Sequence, residues 1–511
     1  MSEALRHVPP DAIIVGWDFS TGSVKALAFD PSGNVRHEVR LPTDLWTEGG
    51  VSELSLLQLE GQALASARAM GHWLEENTDS GKWLAAGISA THHSAGLLDA
   101  NAVQVRRMIC WNDQTLAKYH GEGLQRLGGQ DRVKELIGGP WAVRYSLSHL
   151  VKDEHTLSAA DWDRTAVMLP HGPAAAGFLT GRFDCTSVSS AASTGMMDLR
   201  KNEWRAEMLF ALADPARREQ AWKHLPRIID MNDPVGPLSE AVAAAAKMTT
   251  TNRPLIFPTL DDQAAGLVGG GAVDAGQVAI ILGNSAVVNS SAAFAPQSGT
   301  LDAMKLNWGP YLWMRCYTNG AQFLDKVIGE KPNWTALEAA ARKVPAGCGG
   351  VTVLPFLYAE PSVGVNAPRF QWTPSEPTDG GTKLRASFEA LSYLIGLAVK
   401  EHEAAGQTIT RVTVSGGIAR NDLMLEILAS VLDRELVRLV SAEGPALGAA
   451  VAALAGYETH QRRKAGDNTP YTVADAVTAM VKFRPEAVKP NPEWRGVYQQ
   501  GLAAFAAKVK G

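Results

Sequence analysis

The residue best suited to general-base chemistry is Asp262, in the run Leu260-Asp261-Asp262-Gln263-Ala264-Ala265-Gly266. A carboxylate among small apolar residues, just upstream of a glycine, can take a proton from a bound hydroxyl group within about 2.6–3.2 Å. The alternative is structural, because an aspartate that precedes an alanine-rich helix is a common N-cap, and the adjacent Asp261 can share that duty. The sequence leaves both interpretations of Asp262 open.

A polar turn joins two apolar runs between residues 13 and 29. Backbone N–H groups and the side chains of Ser20 and Thr21 can hold phosphate oxygens there, Lys25 supplies a cation, and Asp18 can position hydrated Mg²⁺. The turn is not a Walker A sequence. Its simpler interpretation is a tight hairpin in which Asp18 closes an Asx-turn.

A second strand–turn–strand segment of the same kind covers residues 277–288. Its apolar runs flank the turn Gly283-Asn284-Ser285, which can offer backbone N–H groups to an anion. Two such hairpins, far apart in one chain, predict two related halves that face one polyphosphate. Together with Asp262, they indicate transfer of a phosphoryl group.

Length and composition favour a large globular protein with a small-molecule partner. The 511 residues exceed the roughly 250–300 at which single cores stop growing, so we expect two domains with a cleft between them. Hydrophobic residues at 46%, charged residues at 20% and a net charge of −5 are globular values and provide no polycationic surface for nucleic acid.

Cysteine spacing and the absence of long apolar runs indicate the compartment. The four cysteines are widely separated and show neither CxxC nor Cys/His metal spacing, so we expect reduced, structural thiols. The first residues lack the apolar region of a signal peptide, and no apolar run approaches the ~20 residues of a membrane span. We expect a cytoplasmic protein that does not contact membranes, and the base rate for assemblies favours a homodimer.

Strands and helices are predicted to alternate. Apolar spacing predicts a helix within 52–77 and a buried strand over 84–90. Further on, a strand over 412–415 meets Gly416-Gly417, and a helix follows from Asn421 as its N-cap. This is a nucleotide-binding arrangement, because glycines without Cβ atoms let a purine lie against the backbone.

Prolines predict where the chain changes domain and where it runs along the surface. Several prolines between 222 and 258 place the boundary near residue 250, which gives domains 1–250 and 251–511. The proline- and glycine-rich segment 360–381 is predicted to be a long surface loop, and the tail from Trp494 a closing helix.

Two groups of polar residues are candidates for substrate binding. His92 and His93 follow the predicted strand, and neighbours on a strand point to opposite faces, so we expect no shared metal ion and one histidine facing the cleft. Trp111-Asn112-Asp113 suits a polyol, because Asn and Asp bond hydroxyl groups while Trp packs on a C–H face. A capped helix start is the alternative interpretation of this second group.

In this order, the segments resemble the FGGY family of carbohydrate kinases, and the resemblance covers nearly the whole chain. It extends to Phe183–Thr194 and to Ala446-Leu447-Gly448-Ala449-Ala450, which we predict to form a small-residue helix packed behind Gly416-Gly417. The resemblance implies an α/β protein of two actin-like, ribonuclease-H-like ATPase domains, in which a sugar and Mg-ATP meet in the interdomain cleft.

The resemblance also implies a role for each motif. Asp262 is the implied catalytic base, and Asp18 the implied ligand of Mg²⁺. The implied ATP-binding residues are Ser20, Thr21, Lys25, Gly283, Asn284, Ser285, Gly416, Gly417 and Asn421. The implied sugar-binding residues are His92, His93, Trp111, Asn112, Asp113 and Asp262.

The residues at 89–93 and the Trp111 motif are similar to those of family members that act on D-xylulose, which is the first expected acceptor. Ribulose, gluconate and glycerol-like acceptors are the alternatives.

The chain departs from the family pattern in the second hairpin, where Asn284 replaces the usual threonine and Ala286 the second glycine. Asparagine can still donate to a phosphate, but alanine disfavours a backbone with φ > 0. In the mid-chain signature, Ser187 stands where aspartate is frequent. These departures motivate a further alternative, a catalytically weak sensor that binds sugar or nucleotide.

Overall fold

The chain forms two compact units, which we describe separately. Unit 1 comprises Met1–Val273, Asp302–Leu312 and Glu443–Val481, and unit 2 comprises Asp274–Leu301, Trp313–Ala442 and Lys482–Gly511. The structure, a computed structural model, describes residues 3–249, 251–329, 331–440 and 443–510.

The strands alternate with helices along the chain. In chain order they are β1 (Ile13–Phe19), β2 (Ser23–Phe29), β3 (Val35–Pro42), β4 (Trp46–Glu48), β5 (Val51–Leu54), β6 (Trp83–Ala90), β7 (Ala95–Asp99), β8 (Gln104–Ile109), β9 (Thr165–Pro170), β10 (Cys185–Ser187), β11 (Met197–Asp198), β12 (Glu203–Trp204), β13 (Arg227–Ile229), β14 (Gly236–Pro237), β15 (Leu255–Ile256), β16 (Leu260–Asp261), β17 (Gln277–Leu282), β18 (Ala286–Ala292), β19 (Asp302–Lys305), β20 (Tyr311–Tyr317), β21 (Thr352–Phe356), β22 (Arg369–Thr373), β23 (Arg411–Ser415) and β24 (Leu436–Arg438).

The α-helices range from one turn to seven. They are α1 (Leu56–Asn77), α2 (Leu116–Leu127), α3 (Gln130–Ile137), α4 (Ser146–Thr156), α5 (Ala159–Arg164), α6 (His171–Thr180), α7 (Val188–Ala192), α8 (Pro215–Lys223), α9 (Glu240–Ala245), α10 (Asp262–Gly269), α11 (Ala321–Ile328), α12 (Trp334–Ala341), α13 (Gly380–Ala404), α14 (Asp422–Leu432), α15 (Gly444–Lys464), α16 (Val473–Met480) and α17 (Arg495–Lys510).

The main sheet of unit 1 has the strand order β14-β15-β6-β1-β2-β3, with β16 also pairing with β6. Strand β1 is antiparallel to β2 and parallel to β6. All seven residues of β1 are buried, as expected for a central strand covered on both faces. Its core includes Trp17, Met70 of α1 and Trp83. A second, antiparallel sheet has the order β4-β5-β8-β7-β9.

Unit 2 is built around the strand order β20-β18-β17-β23-β24. Strand β17 is antiparallel to β18 and parallel to β23, which in turn is parallel to β24. Its core joins these strands to the apolar faces of α13, α14 and α17. The hairpin β17–β18 beside a parallel strand repeats the arrangement of β1, β2 and β6, so the predicted similarity of the two hairpins extends to their neighbouring strand.

The bounds of the two units differ from those of the predicted domains, 1–250 and 251–511. Unit 1 continues to Val273, so it holds Asp262, and it also takes in α15 from the C-terminal half of the sequence. Helix α15 packs directly on strands of unit 1: a Cβ atom at Gly16 would lie 1.9 Å from the carbonyl oxygen of Ala446, and one at Gly87 2.0 Å from that of Ala449. The prolines that suggested residue 250 mark loops and carry no information about such distant packing.

The predicted local elements are largely present. Helix α1, strand β6, both hairpins and the terminal helix α17 lie where the sequence pattern places them. The predicted surface loop 360–381 is wrong in part, because β22 lies within it and pairs with β21. The predicted small-residue helix is α15, which belongs to unit 1 and packs on β1 and β6, while Gly416-Gly417 belong to unit 2.

Two predictions from composition can be compared with the structure. Among the described residues no two cysteines are joined by a disulfide bond, and Cys110, Cys185 and Cys348 are buried, as expected for structural thiols. Within the described ranges, no helix has the length and apolarity needed to cross a membrane.

Candidate active site

Three parallel strands of unit 1 end at the same edge of the main sheet. In the register of β1, β6 and β16, Asp18 lies opposite Ser89, and Asp261 lies opposite Ala90. Because parallel strands place their carboxyl ends together, the β1 turn, the segment after β6 and the start of α10 meet at this edge. The sequence motifs that contain Asp18, His92 and Asp262 are thereby brought together.

The two adjacent aspartates at the start of α10 have different roles. Asp261 is the N-cap, and its Oδ1 accepts hydrogen bonds from the backbone N–H groups of Gln263 at 3.0 Å and Ala264 at 2.9 Å. Asp262 is the first residue of the helix, and its Oδ1 accepts a hydrogen bond from the backbone N–H of His92 at 3.3 Å. The capping interpretation therefore applies to Asp261, and the side chain of Asp262 remains 28% exposed.

The surroundings of Asp262 favour its protonated form. Burial raises the pKa of its carboxyl group well above the usual 3.8, and the negative charges of Asp261 and Asp18 raise it further. The hydrogen bond from His92 acts in the opposite direction. A carboxylate with a raised pKa accepts a proton more readily than an ordinary aspartate, which is the property a general base needs.

Asp18 is a buried carboxylate at the end of β1. Burial raises its pKa to about 6, although the nearby Lys25 and a 3.0 Å hydrogen bond from Ser89 Oγ oppose the shift. A hard cation with oxygen ligands suits such a group, because it would compensate the charge that burial disfavours. The residues present therefore fit Mg²⁺ at Asp18.

A second group of potential metal ligands is less suitable. His92, Asp261 and Asp262 each place one potential ligand atom within 4.8 Å of the others. However, Asp261 uses Oδ1 to cap α10, and its Oδ2 accepts a 2.7 Å hydrogen bond from Ser189 Oγ. We therefore interpret this group as part of the framework around Asp262.

The prediction that His92 and His93 point to opposite faces is wrong. Strand β6 ends at Ala90, and His93 lies in a turn with a left-handed backbone, φ 61°. The two imidazole rings therefore lie together, with centroids 3.8 Å apart, and His93 also stacks on Tyr145 at 4.1 Å. Burial lowers the pKa of both histidines well below 6.5, so they are neutral at pH 7.

The first predicted phosphate turn is a closed hairpin. Ser20 Oγ donates to the backbone oxygen of Ser23 at 2.9 Å and accepts from its N–H at 3.2 Å. Lys25 pairs with Glu443 at 3.1 Å, and Thr21 lies half-buried in the turn between β1 and β2. The turn is thus a tight hairpin, as in the simpler interpretation, but Ser20 closes it in place of Asp18, which accepts from Ser89. Lys25 is a cation that already has a carboxylate beside it.

The three residues of the predicted sugar motif differ in accessibility. The Trp111 side chain is exposed, and Asn112 Oδ1 accepts a 2.7 Å hydrogen bond from Ser52 Oγ. Asp113 is buried, with Oδ2 bonded to Lys152 Nζ at 2.9 Å and Oδ1 bonded to the N–H and hydroxyl of Thr115. Asp113 therefore holds the loop, but the alternative of a capped helix start is not met, because the N-cap of α2 is Thr115, which makes no side-chain cap bond.

In unit 2 the second predicted phosphate turn lies between β17 and β18. The N–H of Gly283 donates to the backbone oxygen of Ser285 at 3.0 Å, which closes the turn. Ala286 is the first residue of β18 and has extended backbone, so this position does not need the positive φ that alanine disfavours. The glycine-to-alanine departure is compatible with the hairpin.

Gly416, Gly417 and Asn421, which were predicted to bind ATP, differ in the space around them and in their hydrogen bonds. Gly416 has φ 95°, and a Cβ atom there would lie 2.3 Å from the carbonyl oxygen of Leu282. A Cβ atom at Gly417 would meet no atom within 4 Å. Asn421 caps α14, with Oδ1 accepting from Met424 N–H at 3.0 Å and Nδ2 donating to Glu338 at 2.8 Å. Of these three residues, Gly417 is thus the one with open space beside it.

Sequence reasoning missed three residues that support these segments. Gly320 backs the second turn, because a Cβ atom there would lie 2.6 Å from the carbonyl oxygens of Gly283 and Asn284. Ser189 and Asn307 are hydrogen bonded to each other in unit 1, and Ser189 is bonded to Asp261. Ser189 lies 72 residues from Asp261 and further still from Asn307 in the chain. No local pattern could therefore have revealed these two contacts.

A partly exposed carboxylate beside a polar turn at the ends of parallel strands suits one class of protein, the phosphotransferases that act on an alcohol group, and the family match below shows that class. Comparison with known proteins identifies the family. The sequence profile of the FGGY family of carbohydrate kinases, N-terminal domain, matches residues 13–269, and that of the C-terminal domain matches residues 311–457. The chain belongs to the FGGY family of carbohydrate kinases, whose members use ATP as the phosphate donor.

Individual relatives differ in the substrate they are named for. A xylulose kinase from Lactococcus lactis is 24% identical over 95% of this chain and 94% of its own length. A glycerol kinase from Clavibacter michiganensis is 26% identical over 86% of this chain and 88% of its own. The structure of ligand-bound xylulose kinase from Lactobacillus acidophilus superimposes with a TM-score of 0.83 at 16% identity, covering 97% of each chain, which shows the actin-like, ribonuclease-H-like ATPase fold.

Proposed function

We propose that this protein transfers the γ-phosphoryl group of ATP to a hydroxyl group of D-xylulose, forming D-xylulose 5-phosphate and ADP. The main support for the proposed chemistry is the carboxylate of Asp262. It is partly exposed, its pKa is raised, and it does not cap α10. Relatives named xylulose kinase support the acceptor. Ribulose, gluconate and glycerol-like compounds are the alternative acceptors, and a relative named glycerol kinase supports the last.

The proposed reaction is an in-line displacement. Asp262 takes the proton of the acceptor hydroxyl as its oxygen forms a bond to the γ-phosphorus. The bond between that phosphorus and the β–γ bridging oxygen breaks, and ADP leaves with the electron pair. General-base assistance of this kind contributes about 10²–10⁴-fold, while positioning and charge stabilisation supply most of the remaining acceleration.

Each unit contributes groups that bind phosphate or nucleotide in this proposal. In unit 1, Thr21 and the turn N–H groups hold phosphate oxygens, and Asp18 would hold Mg²⁺, which neutralises phosphate charge when bound. In unit 2, the turn Gly283–Ser285 holds phosphate oxygens, and Gly417 leaves space for the adenine ring.

The acceptor is bound by unit 1 in this proposal. Trp111 packs on a C–H face of the sugar, because its ring is exposed, and Asn112 bonds a hydroxyl group. His92 is neutral, and its Nδ1 lies 3.9 Å from Asp262 Oδ1, so this side chain lines the wall beside the proposed base. We assign Asp113 to holding the loop.

The test is a direct comparison of acceptors under identical conditions. The protein is incubated with Mg-ATP and D-xylulose, D-ribulose, D-gluconate or glycerol, and phosphorylated products are identified by mass spectrometry and ³¹P NMR. The proposal predicts the highest kcat/KM for D-xylulose. A higher value for another acceptor would reassign the substrate, and binding without product from any acceptor would favour the sensor alternative.

A further inference from the structure

The residue that precedes Asp262 is held through both carboxylate oxygens and its backbone N–H. The carboxylate of Asp261 caps α10 through Oδ1 and accepts a hydrogen bond from Ser189 Oγ through Oδ2 at 2.7 Å. In return, the backbone N–H of Asp261 donates to Ser189 Oγ at 3.1 Å. The hydroxyl group of Ser189 therefore forms two hydrogen bonds with Asp261, and both Ser189 and Asp261 are almost completely buried.

Ser189 is itself held by a segment distant in sequence. Its backbone N–H donates to Asn307 Oδ1 at 2.8 Å, and Asn307 Nδ2 donates to the backbone oxygen of Thr259 at 3.1 Å. Asn307 thus joins α7 to the residues that lead into β16. Thr259 is also bonded through its hydroxyl to Ser190 at 2.9 Å.

These contacts fix the first turn of α10, where helices ordinarily fray because four N–H groups lack partners within the helix. Asp261 satisfies two of them. Ser189 bonds Asp261 directly, and Asn307 bonds Ser189. Asp262 follows immediately in the chain, so the location of its carboxylate depends on this turn. In proton transfer a displacement of about 1 Å can cost 10²-fold in rate.

We propose that Ser189 and Asn307 are positioning residues, which act through Asp261 to hold the carboxylate of Asp262 where it meets the acceptor hydroxyl. This inference rests on the proposed function, because it assigns the base of that reaction. It extends the site to Ser189, within the family-like segment Phe183–Thr194, and to Asn307, neither of which contacts substrate in the proposed reaction.

The experiment compares Ser189→Ala and Asn307→Ala with the unmodified protein. Steady-state kinetics separates kcat from KM, and hydrogen exchange measures protection of the backbone amides in residues 263–266. The matched control is Ser158→Ala, which removes a serine hydroxyl elsewhere in unit 1, the cap of α5 that accepts from Asp161 N–H at 3.1 Å. Asp261→Asn provides a conservative variant, because asparagine caps a helix about as well as aspartate.

We expect kcat to fall about 10–100-fold in Ser189→Ala and Asn307→Ala, with both KM values within about threefold of the unmodified protein. Exchange at 263–266 should become faster in these variants alone, and Asp261→Asn should retain more activity than Asp261→Ala. If Ser189→Ala fails to fold, Asn307→Ala decides, because its side chain is only half-buried.

Two results would overturn the inference. Unchanged exchange at 263–266 would mean that the two residues do not hold the turn, and faster exchange with unchanged kcat would mean that the turn does not position the base. Absence of product with the unmodified protein would instead reject the proposed function, and the exchange measurement would still decide whether Ser189 and Asn307 hold α10.

Discussion

Asp261 caps helix α10 and Asp262 begins it, so two adjacent carboxylates carry out separate tasks. The cap uses the oxygens of Asp261 for bonds within the protein, while Asp262 keeps a partly exposed side chain. The charge of the first residue also raises the pKa of the second. A structural aspartate thereby increases the basicity of the proposed catalytic one.

The first prediction concerns the pH dependence of kcat/KM. The base is active when ionised, and the pKa of Asp262 is raised well above 3.8, so activity should fall as pH falls through this raised value. In Asp261→Asn the neighbouring charge is absent, and the acid limb should move to lower pH. Rates measured between pH 4 and 9, with recovery at pH 7.5 as a stability control, test this. An identical acid limb in both proteins would contradict it.

The second prediction is that Asp18→Asn stabilises unit 1 while it removes activity. The folded-state pKa of Asp18 is about 6, above its value in the unfolded chain, so the ionised group destabilises the fold above pH 6. That contribution disappears as pH falls from 6 towards 3.8. At pH 7.5 the neutral variant should gain up to about 3 kcal/mol in the free energy of unfolding.

Denaturation in urea without divalent ions measures the effect of Asp18→Asn. The control is Asp214→Asn, an exposed capping aspartate of α8 in the same unit. Loss of stability in Asp18→Asn would show that its bonds outweigh the cost of its burial.

The third prediction concerns the buried pair Asp113–Lys152, whose side chains are 0% and 11% exposed. Lys152→Met leaves the carboxylate buried without its ammonium partner and should cost about 3–5 kcal/mol in the free energy of unfolding. Lys223→Met removes an exposed pair with Glu219, which solvent screens, and should change the free energy of unfolding far less. Equal effects in the two variants would contradict the structural role given to Asp113.

The fourth prediction separates the two glycines after β23. In Gly416→Ala, the alanine would have to adopt φ near 95°, and its Cβ atom would lie 2.3 Å from a carbonyl oxygen. The substitution should therefore destabilise unit 2 by at least about 1–3 kcal/mol. Gly417→Ala has open space and φ −62°, so stability should not change, while KM for ATP should rise. Thermal unfolding and ATP titrations measure both. An unchanged KM in Gly417→Ala would remove this residue from the proposed adenine site.

The features that sequence reasoning predicted depend on neighbouring residues. The hairpins follow from apolar runs around short polar turns, and the Asn421 cap from its position before an amphipathic helix. The features it missed depend on distant ones. The stacking of His92 and His93 requires a turn with φ 61°, and Asp113 meets Lys152 only because the loop and α4 pack together.

The same distinction explains the division into units. The packing of α15 on β1 and β6 depends on glycines that precede it by more than 350 residues, at Gly16 and Gly87. Periodicity predicts that α15 is a helix with small residues, but it does not indicate which strands those residues meet. The family resemblance indicated the motifs, and the structure shows which residues contact them.

The most direct test of the account is ADP release with Mg-ATP and D-xylulose, measured for the unmodified protein and for Asp262→Asn. The matched control is Glu240→Gln, which neutralises the exposed first residue of α9 in the same unit. We predict sugar-dependent ADP release that falls by about 10²–10⁴-fold in Asp262→Asn and is unchanged in Glu240→Gln, with all three proteins folded. Sugar-dependent release that persists at full rate in Asp262→Asn would contradict the assignment of Asp262 as the base.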